Sequence, residues 1–279
     1  MEATSGLVLG NIFTPSGNGG SVELNSTNGQ VSVNSRIEVS SAATPTPGPR
    51  RLSNRGGNIK ITSGRSAAPI HGPGRPVAIN IGNSSQLLAL LDAAATGPGG
   101  KITILATGAN TDVNVSGRSE ATRGTIDIRH QGDGGHVNIG TAGVTTMKAD
   151  VIKAGAFGAN GQLNIGNSTI SADSLIRLYA TGSNGELNFV ANTTLSSGTR
   201  IDLAANTISI QPSVIVTILG NSGPANVYTN NANYSGFGGT NPANGTFGGN
   251  GANPPQPLAS APPFDNPPPP RPPSQGGTR

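Results

Sequence analysis

The chain has 279 residues, with 42 glycines, 22 prolines and no cysteine; only 3% of the residues are aromatic and 11% are charged. The absence of cysteine excludes disulfide bonds and thiolate metal sites, and so few aromatic residues argue against a core built around Phe and Trp. The net charge of +4 is spread along the chain, which argues against a nucleic-acid partner. No stretch approaches the roughly 20 apolar residues of a transmembrane helix.

The first hundred residues contain short segments of alternating apolar residues, the pattern of β-strands. These predicted strands lie at residues 22–24, 31–33, 37–39, 59–61 and 79–81. Two insertions, residues 43–51 and 65–76, contain three prolines each and predict exposed loops.

A helix is predicted at residues 84–95. Ser84 or Ser85 can cap its N-terminus, and the leucines between Leu87 and Leu91 form a broad apolar stripe. We expect this helix to pack against the flank or the end of the main fold. A helix that lies on a membrane or binds a partner is the alternative.

From residue 99 onward the strand pattern becomes periodic. Nine short apolar triplets begin at residues 102, 113, 126, 137, 151, 163, 176, 187 and 201, so every second triplet recurs after 24 to 26 residues. A hairpin sandwich has no reason to repeat at this doubled interval, whereas a solenoid coil does. The sequence therefore predicts an all-β fold, a parallel β-helix with coils of about 24 residues and two strands in each coil.

The middle residues of the triplets form two series. The residues of one series are Thr103, Asp127, Ile152, Arg177 and Asp202. In the other series, asparagine occupies the middle of alternate triplets, at Asn114, Asn138, Asn164 and Asn188. Parallel coils stack about 4.8 Å apart, so these four amides are expected to hydrogen-bond along the stack as a ladder.

The periodic pattern ends near residue 220. Residues 1–220 are therefore assigned to the β-helix, and residues 221–279, first rich in Gly and Asn and then in Pro, to a largely disordered tail. We expect aromatic residues of this tail to fold back over the last coil, because an open β-helix end exposes unpaired strand edges. These aromatic residues are Tyr228, Tyr234, Phe237 and Phe247.

Three side chains at one repeat position are the candidates for catalysis. Asp112 and His136 are 24 residues apart, which is one coil, and Glu186 occupies the same position two coils further. A catalytic β-helix needs several carboxylates, or carboxylates with Lys or Arg, on one outer face, whereas an exposed ion pair is the simpler interpretation of this column. His71 and His130 have no metal-ligand spacing, so the sequence predicts neither a metal nor a cofactor.

The repeats Gly-Gly-x-Ile-x-Ile at residues 56–61 and 99–104, and Thr-Ile-Ser-Ala-Asp at 169–173, resemble those of the filamentous-haemagglutinin-like large exoproteins of Gram-negative bacteria. The resemblance covers roughly residues 15–220. It implies a right-handed β-helix, two-partner secretion, and adhesion to host cells, sister cells, glycans or matrix. The signal peptide and secretion domain of that family are not visible here, so the chain resembles the C-terminal portion of a larger exoprotein or the product of a truncated gene.

Two functions are therefore expected. The first is a structural or adhesive segment of an extracellular or outer-membrane exoprotein, without enzymatic activity, that makes multivalent contacts with cells or matrix. The alternative is a carbohydrate-active β-helix enzyme, a polysaccharide lyase or hydrolase, that uses the column of Asp112, His136 and Glu186. A rod without a specific ligand is the third interpretation, and the sequence does not separate it from the first.

Overall fold

The computed structural model describes residues 19–41, 55–67, 75–91, 97–233 and 245–266, together with three strands at the N-terminus. Within these residues, 22 strands pair in parallel to form one nearly closed sheet. The strands are β1 (Glu2–Ala3), β2 (Gly6–Leu9), β3 (Ile12–Ser16), β4 (Ser21–Ser26), β5 (Gln30–Val33), β6 (Arg36–Ser41), β7 (Asn58–Ser63), β8 (Val77–Ile81), β9 (Gln86–Leu90), β10 (Lys101–Ala106), β11 (Asp112–Val115), β12 (Gly117–His130), β13 (His136–Ile139), β14 (Thr145–Ala156), β15 (Gln162–Ile165), β16 (Ser168–Ala180), β17 (Glu186–Phe189), β18 (Thr193–Ser197), β19 (Arg200–Ile210), β20 (Ile215–Leu219), β21 (Asn226–Asn233) and β22 (Thr246–Gly249).

The chain passes through three strands in each coil, one on each of three faces. Face A contains β4, β7 and β10, face B contains β5, β8 and β11, and face C contains β6 and β9. Farther along, β12, β14 and β16 run from face C into face A, and β19 runs from face A into face B. Face B is continued by β13, β15 and β17, and face C by β18, β20 and β22. This arrangement confirms the parallel β-helix.

Columns of apolar side chains, one residue from each coil, fill the interior. On face A the central column is made of isoleucines that pair in register and are completely buried; they are Ile102, Ile126, Ile152, Ile176 and Ile201. Burial of one such side chain contributes about 1.5–3 kcal/mol. Because side chains alternate along a strand, each face also carries outward columns, and these decide what the surface can bind.

The prediction of two strands per coil is wrong, because face C supplies a third. The first face C strand, β6, shows the triplet at residues 37–39, but those between residues 117 and 197 do not, since their second inward position is small: Ala121, Ala149 and Ala172 stack there, followed by Ser197. A strand with a single large inward residue, such as Ile170, still forms because strands in the coils above and below supply its hydrogen-bond partners.

The predicted series Thr103, Asp127, Ile152, Arg177 is shifted by one residue in one coil. In the structure Lys153, and not Ile152, pairs with Asp127 and with Arg177. The corner that precedes this strand has one residue, against three in the coil before, where the register between β12 and β14 shifts. The shift is favoured because it places Ile152 in the buried isoleucine column and points the Lys153 side chain away from the interior of the coil.

The helix predicted at residues 84–95 is also wrong over the part that the structure describes. Residues 86–90 form the strand β9, which pairs with β6 and with β12. Leucine and glutamine are good helix formers, but helix propensity is worth less than about 1 kcal/mol per residue, and pairing with two parallel neighbours outweighs it. Residues 92–96 lie outside the described part. Among the described residues, the helical structure is the 3-10 turn Leu258–Ser260, and no helix is long and apolar enough to cross a membrane.

The β-helix continues past the boundary that the sequence predicts at residue 220. The strand β21 pairs with β19, and β22 pairs with β20. Of the four aromatic residues expected to cover the last coil, Tyr228 lies on β21, and the Phe247 ring lies 6.2 Å from that of buried Phe189. Tyr234 and Phe237 lie outside the described residues, as do the predicted loop at 43–51 and positions 68–74 of the other loop.

Candidate functional site

The three catalytic candidates lie in one outward column of face B. Asp112 pairs in register with His136, and the two side chains approach to 3.6 Å between Oδ1 and Nδ1. The next position is Gln162, whose Nε2 donates a hydrogen bond of 3.0 Å to Glu186. Glu186 is therefore three coils from Asp112, about 14 Å at 4.8 Å per coil. The structure brings Asp112 and His136 together and leaves Glu186 apart.

This geometry does not provide a pair of carboxylates for glycoside hydrolysis. Retaining and inverting enzymes place their two carboxyl groups about 5–9.5 Å apart, which is less than the separation of Asp112 and Glu186. What the column offers instead is one carboxylate beside one imidazole.

Burial changes the ionisation of the Asp112 and His136 pair. It raises the pKa of Asp112 to about 6, although the nearby Arg75 guanidinium opposes this rise. It lowers the pKa of His136 to about 4, with further lowering from Arg75 and from His130. At neutral pH a carboxylate therefore faces a neutral imidazole, so the expected exposed ion pair is not formed. Asp112 Oδ1 and His136 Nε2 are buried without a hydrogen-bond partner among the described residues.

His130 occupies an inward position of face A that is Ala106 and Ala156 in the adjacent coils. Its imidazole is completely buried; Nε2 lies 3.0 Å from Thr111 Oγ1, and the Gly132 amide donates to Nδ1. A β-carbon at Gly135 would lie 1.9 Å from Nδ1, so glycine is required there to make room for the ring. Burial lowers the pKa of His130 to about 4. His71 lies outside the described residues.

These shifts predict how stability depends on pH. Between pH 6.5 and 4, His130 and His136 take up protons in the unfolded chain but remain neutral in the fold, because their folded pKa values are about 4. Asp112 acts in the opposite sense, since its folded pKa is about 6 and its ordinary value is 3.8. The unfolded chain therefore binds about one more proton, and stability falls by about 1 kcal/mol per pH unit as the pH decreases.

Replacement of Asp112 tests this balance. Asp112→Asn removes the one group that takes up a proton in the fold, so the loss of stability between pH 6 and 4 should become about twice as steep. His136→Gln should make the curve shallower than that of the unmodified chain. Urea unfolding followed by circular dichroism at each pH measures both slopes, and three parallel curves would show that these side chains titrate normally.

The second outward column of face B is the asparagine ladder. The side-chain amide Nδ2 of each residue donates to Oδ1 of the asparagine one coil before it, over 2.9 Å for Asn138 to Asn114, 2.8 Å for Asn164 to Asn138 and 3.1 Å for Asn188 to Asn164. The Ser209 hydroxyl ends the series by donating to Asn188 Oδ1 over 2.6 Å. The four amides therefore satisfy one another, and the ladder stiffens the face.

Loss of an internal member of the ladder should be measurable. Asn164→Ala removes one donated and one accepted hydrogen bond, and the free energy of unfolding should fall by about 1–2 kcal/mol. Gln162→Ala is the control on the same strand, because it removes one partly exposed bond and should cost about half as much. Urea unfolding at pH 7 measures both values. Equal losses in the two variants would mean that the ladder adds nothing beyond ordinary surface bonds.

Face C presents a different surface, a column of four threonines that pair in register. They are Thr146, Thr169, Thr194 and Thr217. No hydrogen bond joins their hydroxyl groups to one another or to other described residues. An open groove of about 400 Å³ runs between Thr169, Thr194 and Thr217 on one side and Val144, Asn192 and Ile215 on the other. The exposed large apolar residues of the described part, Val144, Ile215 and Leu219, all lie on this face or its entering corner.

A cluster of charged residues lies on face A, where the sequence predicts no site. Arg177 and Asp202 pair in register and are buried, with side-chain exposures of 2% and 0%, and Arg177 Nε lies 3.3 Å from Asp202 Oδ2. The other oxygen of Asp202 accepts a hydrogen bond of 2.6 Å from Arg200. Nearer the N-terminus, Arg129 forms two hydrogen bonds of 2.7 Å with Asp127.

Residues 257–266, which we call the C-terminal segment, cross face A and cover this cluster. Phe264 is the one buried side chain of the segment. Its ring packs edge-on against Phe157 and Tyr179, with ring centroids 4.8 and 5.5 Å away. The Arg129 guanidinium and the Lys153 ammonium lie 4.8 and 5.6 Å from the centroid of the Phe264 ring. We call the site that holds Phe264 the flank pocket; its walls are Arg129, Lys153, Phe157, Arg177 and Tyr179.

Polar groups of the flank pocket bind the backbone of the C-terminal segment. Arg177 Nη1 donates to the carbonyl oxygens of Phe264 and Asn266, over 3.1 and 2.6 Å. The Tyr179 hydroxyl donates to the carbonyl oxygen of Pro262 over 2.9 Å. Arginine and tyrosine therefore recognise three carbonyl groups within five residues.

Charge complementarity adds to these contacts. Arg129 donates to the Asp265 carboxylate over 2.5 Å, and this bond holds the pKa of Asp265 below its ordinary value. Burial lowers the pKa of Lys153, whose ammonium faces Asp265, Asp127, Arg177 and Arg129. The Asp265 side chain, which is 69% exposed, thus lies at the rim of the flank pocket, beside its three basic residues.

Two signals could have located this cluster from sequence. Correct alignment of Lys153 would have produced a charged column running from Asp127 to Asp202, and Phe264 followed by Asp265 stands out in a Pro-rich region. Neither signal specifies which face the segment covers, because that depends on a contact between positions almost 90 residues apart in the chain. Comparison with protein-family models, with curated proteins and with solved structures found no match to this chain.

Proposed function

We propose that this chain is a contact-making rod from a bacterial surface or secreted exoprotein, and that face C is its adhesive surface. One observation carries the proposal: face C combines a column of unpaired threonine hydroxyls with the three exposed large apolar residues of the described part. Exposed apolar groups within a polar surface are typical of interaction sites. On face B the asparagine amides bond to one another, and on face A the C-terminal segment covers the charged cluster, whereas the threonine column of face C is uncovered.

Repetition is the expected source of affinity. Each coil offers a threonine hydroxyl and its methyl group about 4.8 Å from the next, and each such contact is weak. Several weak contacts on one rigid surface act together, because the first contact raises the effective concentration for the others. A ligand with a repeating structure, such as a polysaccharide, therefore suits this face better than a single small molecule.

The experiment compares two double variants with identical chemistry. Thr169→Lys with Thr194→Lys places two ammonium groups in the middle of the face C groove, whereas Thr141→Lys with Thr181→Lys places them at exposed positions outside it. The fluorescently labelled chain is applied to an array of host and bacterial polysaccharides and to fixed epithelial cells. We expect binding by the unmodified chain and by the second variant, and at least tenfold weaker binding by the first. No binding by the unmodified chain, or equal binding by both variants, would contradict the proposal.

A further inference from the structure

We propose that the flank pocket is a recognition site for the sequence Pro-Pro-Phe-Asp-Asn, residues 262–266, and that the partner it fits is the C-terminal segment of a second copy of this chain. The two copies would then be joined by exchange of a segment that each chain also binds within itself. This assembly site is separate from the adhesive face C, so the two proposals are tested independently.

The recognition is local to the segment. The contacts described above involve the Phe264 ring, the Asp265 carboxylate and the carbonyl groups of Pro262, Phe264 and Asn266. They lie within five residues and do not depend on the covalent link to the last coil. Proline restricts the backbone before Phe264, so the segment loses less conformational freedom on binding than an ordinary peptide. A peptide of residues 257–266 contains these groups together with Leu258 and Ala261, which pack against the same aromatic cluster.

The segment can leave the pocket without disturbing the β-helix. Phe264 is its one buried side chain, and the remaining residues from 257 to 266 are at least partly exposed. The core columns are formed by the coils themselves and do not include Phe264, which belongs to a separate cluster with Tyr179, Ala204 and Tyr228. Detachment therefore costs the contacts of one aromatic anchor and a few hydrogen bonds.

An empty flank pocket favours binding of the C-terminal segment of a second copy. With the segment in place, Arg177 and Lys153 are buried. When the segment leaves, they lose the carbonyl oxygens and the carboxylate that they face, and water is the remaining source of partners. Groups of this kind need oxygen partners, and the Phe264 site between Phe157 and Tyr179 needs an aromatic ring. A second copy supplies all of these groups in the same order, with an acidic side chain against the basic walls.

The chain's own segment competes with that of a second copy for the flank pocket, and this competition sets the protein concentration at which copies assemble. A segment attached to its own pocket has an effective concentration on the order of millimolar. The unmodified chain should therefore be monomeric in dilute solution and exchange segments only at high local concentration, as on a crowded surface. A reciprocal exchange closes into a dimer, whereas one-way donation from copy to copy is not self-limiting and can extend into chains.

The experiment uses two full-length variants, one with a disabled C-terminal segment and the other with a disabled flank pocket. Phe264→Ala keeps the pocket and disables the segment. Arg129→Gln with Phe157→Ala keeps the segment and disables the pocket. Circular dichroism and thermal unfolding first establish that both variants retain the β-helix. Each is then examined alone and in an equimolar mixture by size-exclusion chromatography with light scattering, at concentrations up to about 100 µM, well below the millimolar range of self-binding.

We expect each variant alone to be monomeric and the mixture to form a one-to-one heterodimer. A synthetic peptide of residues 257–266 should bind to the Phe264→Ala chain and dissociate the heterodimer. The peptide that contains Phe264→Ala should bind at least about 30-fold more weakly. If neither the heterodimer nor peptide binding is observed, the pocket is not a recognition site. Peptide binding without heterodimer formation would overturn the second copy as the partner and with it the proposal.

Discussion

Asp202→Ala should lower the free energy of unfolding by about 3–5 kcal/mol, because it leaves a buried arginine without its carboxylate. Arg177 has a side-chain exposure of 2%, and Asp202 is its carboxylate partner at 3.3 Å. Asp202 also accepts a hydrogen bond from Arg200 and one from Asn226. The Phe264 and Asn266 carbonyl groups remain as partners for Arg177, but they carry no net charge. Urea unfolding followed by circular dichroism measures the loss.

The matched control is Asp127→Ala on the same face. Arg129, the partner of Asp127, has a side-chain exposure of 22% and retains Asp265 as a second carboxylate. The Asp127 side chain is itself only 9% exposed, but its loss leaves Arg129 partly hydrated and still paired. The change should therefore cost clearly less than Asp202→Ala, about 1–2 kcal/mol. Similar losses in the two variants would mean that burial of the Arg177 pair has no special importance for stability.

The second large effect is expected at Phe189, the largest apolar side chain of face B. Phe189 is completely buried and pairs in register with Ile165 and Ile210. Phe189→Ala should cost about 3–5 kcal/mol, since it removes the ring and leaves a cavity between rigid coils. Val144→Ala is the control, because the Val144 side chain is 72% exposed and its truncation should change stability by less than about 0.5 kcal/mol.

The destabilisation caused by Phe189→Ala should also be confined to the neighbouring coils. Each coil of a solenoid contacts only its neighbours, so hydrogen exchange should become faster in β15, β17 and β19 before it changes near β7. Amide exchange followed by mass spectrometry resolves these regions. Uniformly faster exchange along the whole chain would show that the β-helix unfolds as one cooperative unit, in contrast to the expected behaviour.

Much of the fold could be predicted because its signals are local and repeated. Alternation of apolar residues specifies strands, and recurrence after 24 to 26 residues specifies coils. The Asn114 to Asn188 ladder follows directly from that spacing, since equal positions in successive coils must stack. The face C strands between residues 117 and 197 were missed because Ala149 and its equivalents are too small to mark an inward column.

The sites were less predictable than the fold. Asp112 and His136 were placed together correctly by the repeat, but their ionisation depends on burial, and the sequence does not show how much water reaches them. The register of Lys153 depends on a shortened corner. The helix predicted near Leu88 failed because hydrogen bonds to neighbouring coils outweigh local preference.

By itself, then, the sequence determined the coil length, the parallel stacking and the asparagine ladder, because each depends only on residues that recur at a constant interval. The tertiary structure alone decided that the third face continues through every coil, that Lys153 points outward and Ile152 inward, and that Phe264 occupies the flank pocket. These features arise where the chain departs from its repeat: at a shortened corner, in strands with small inward residues, and in a segment that crosses several coils. No periodic pattern encodes such departures, because their energy comes from contacts between positions distant in the chain.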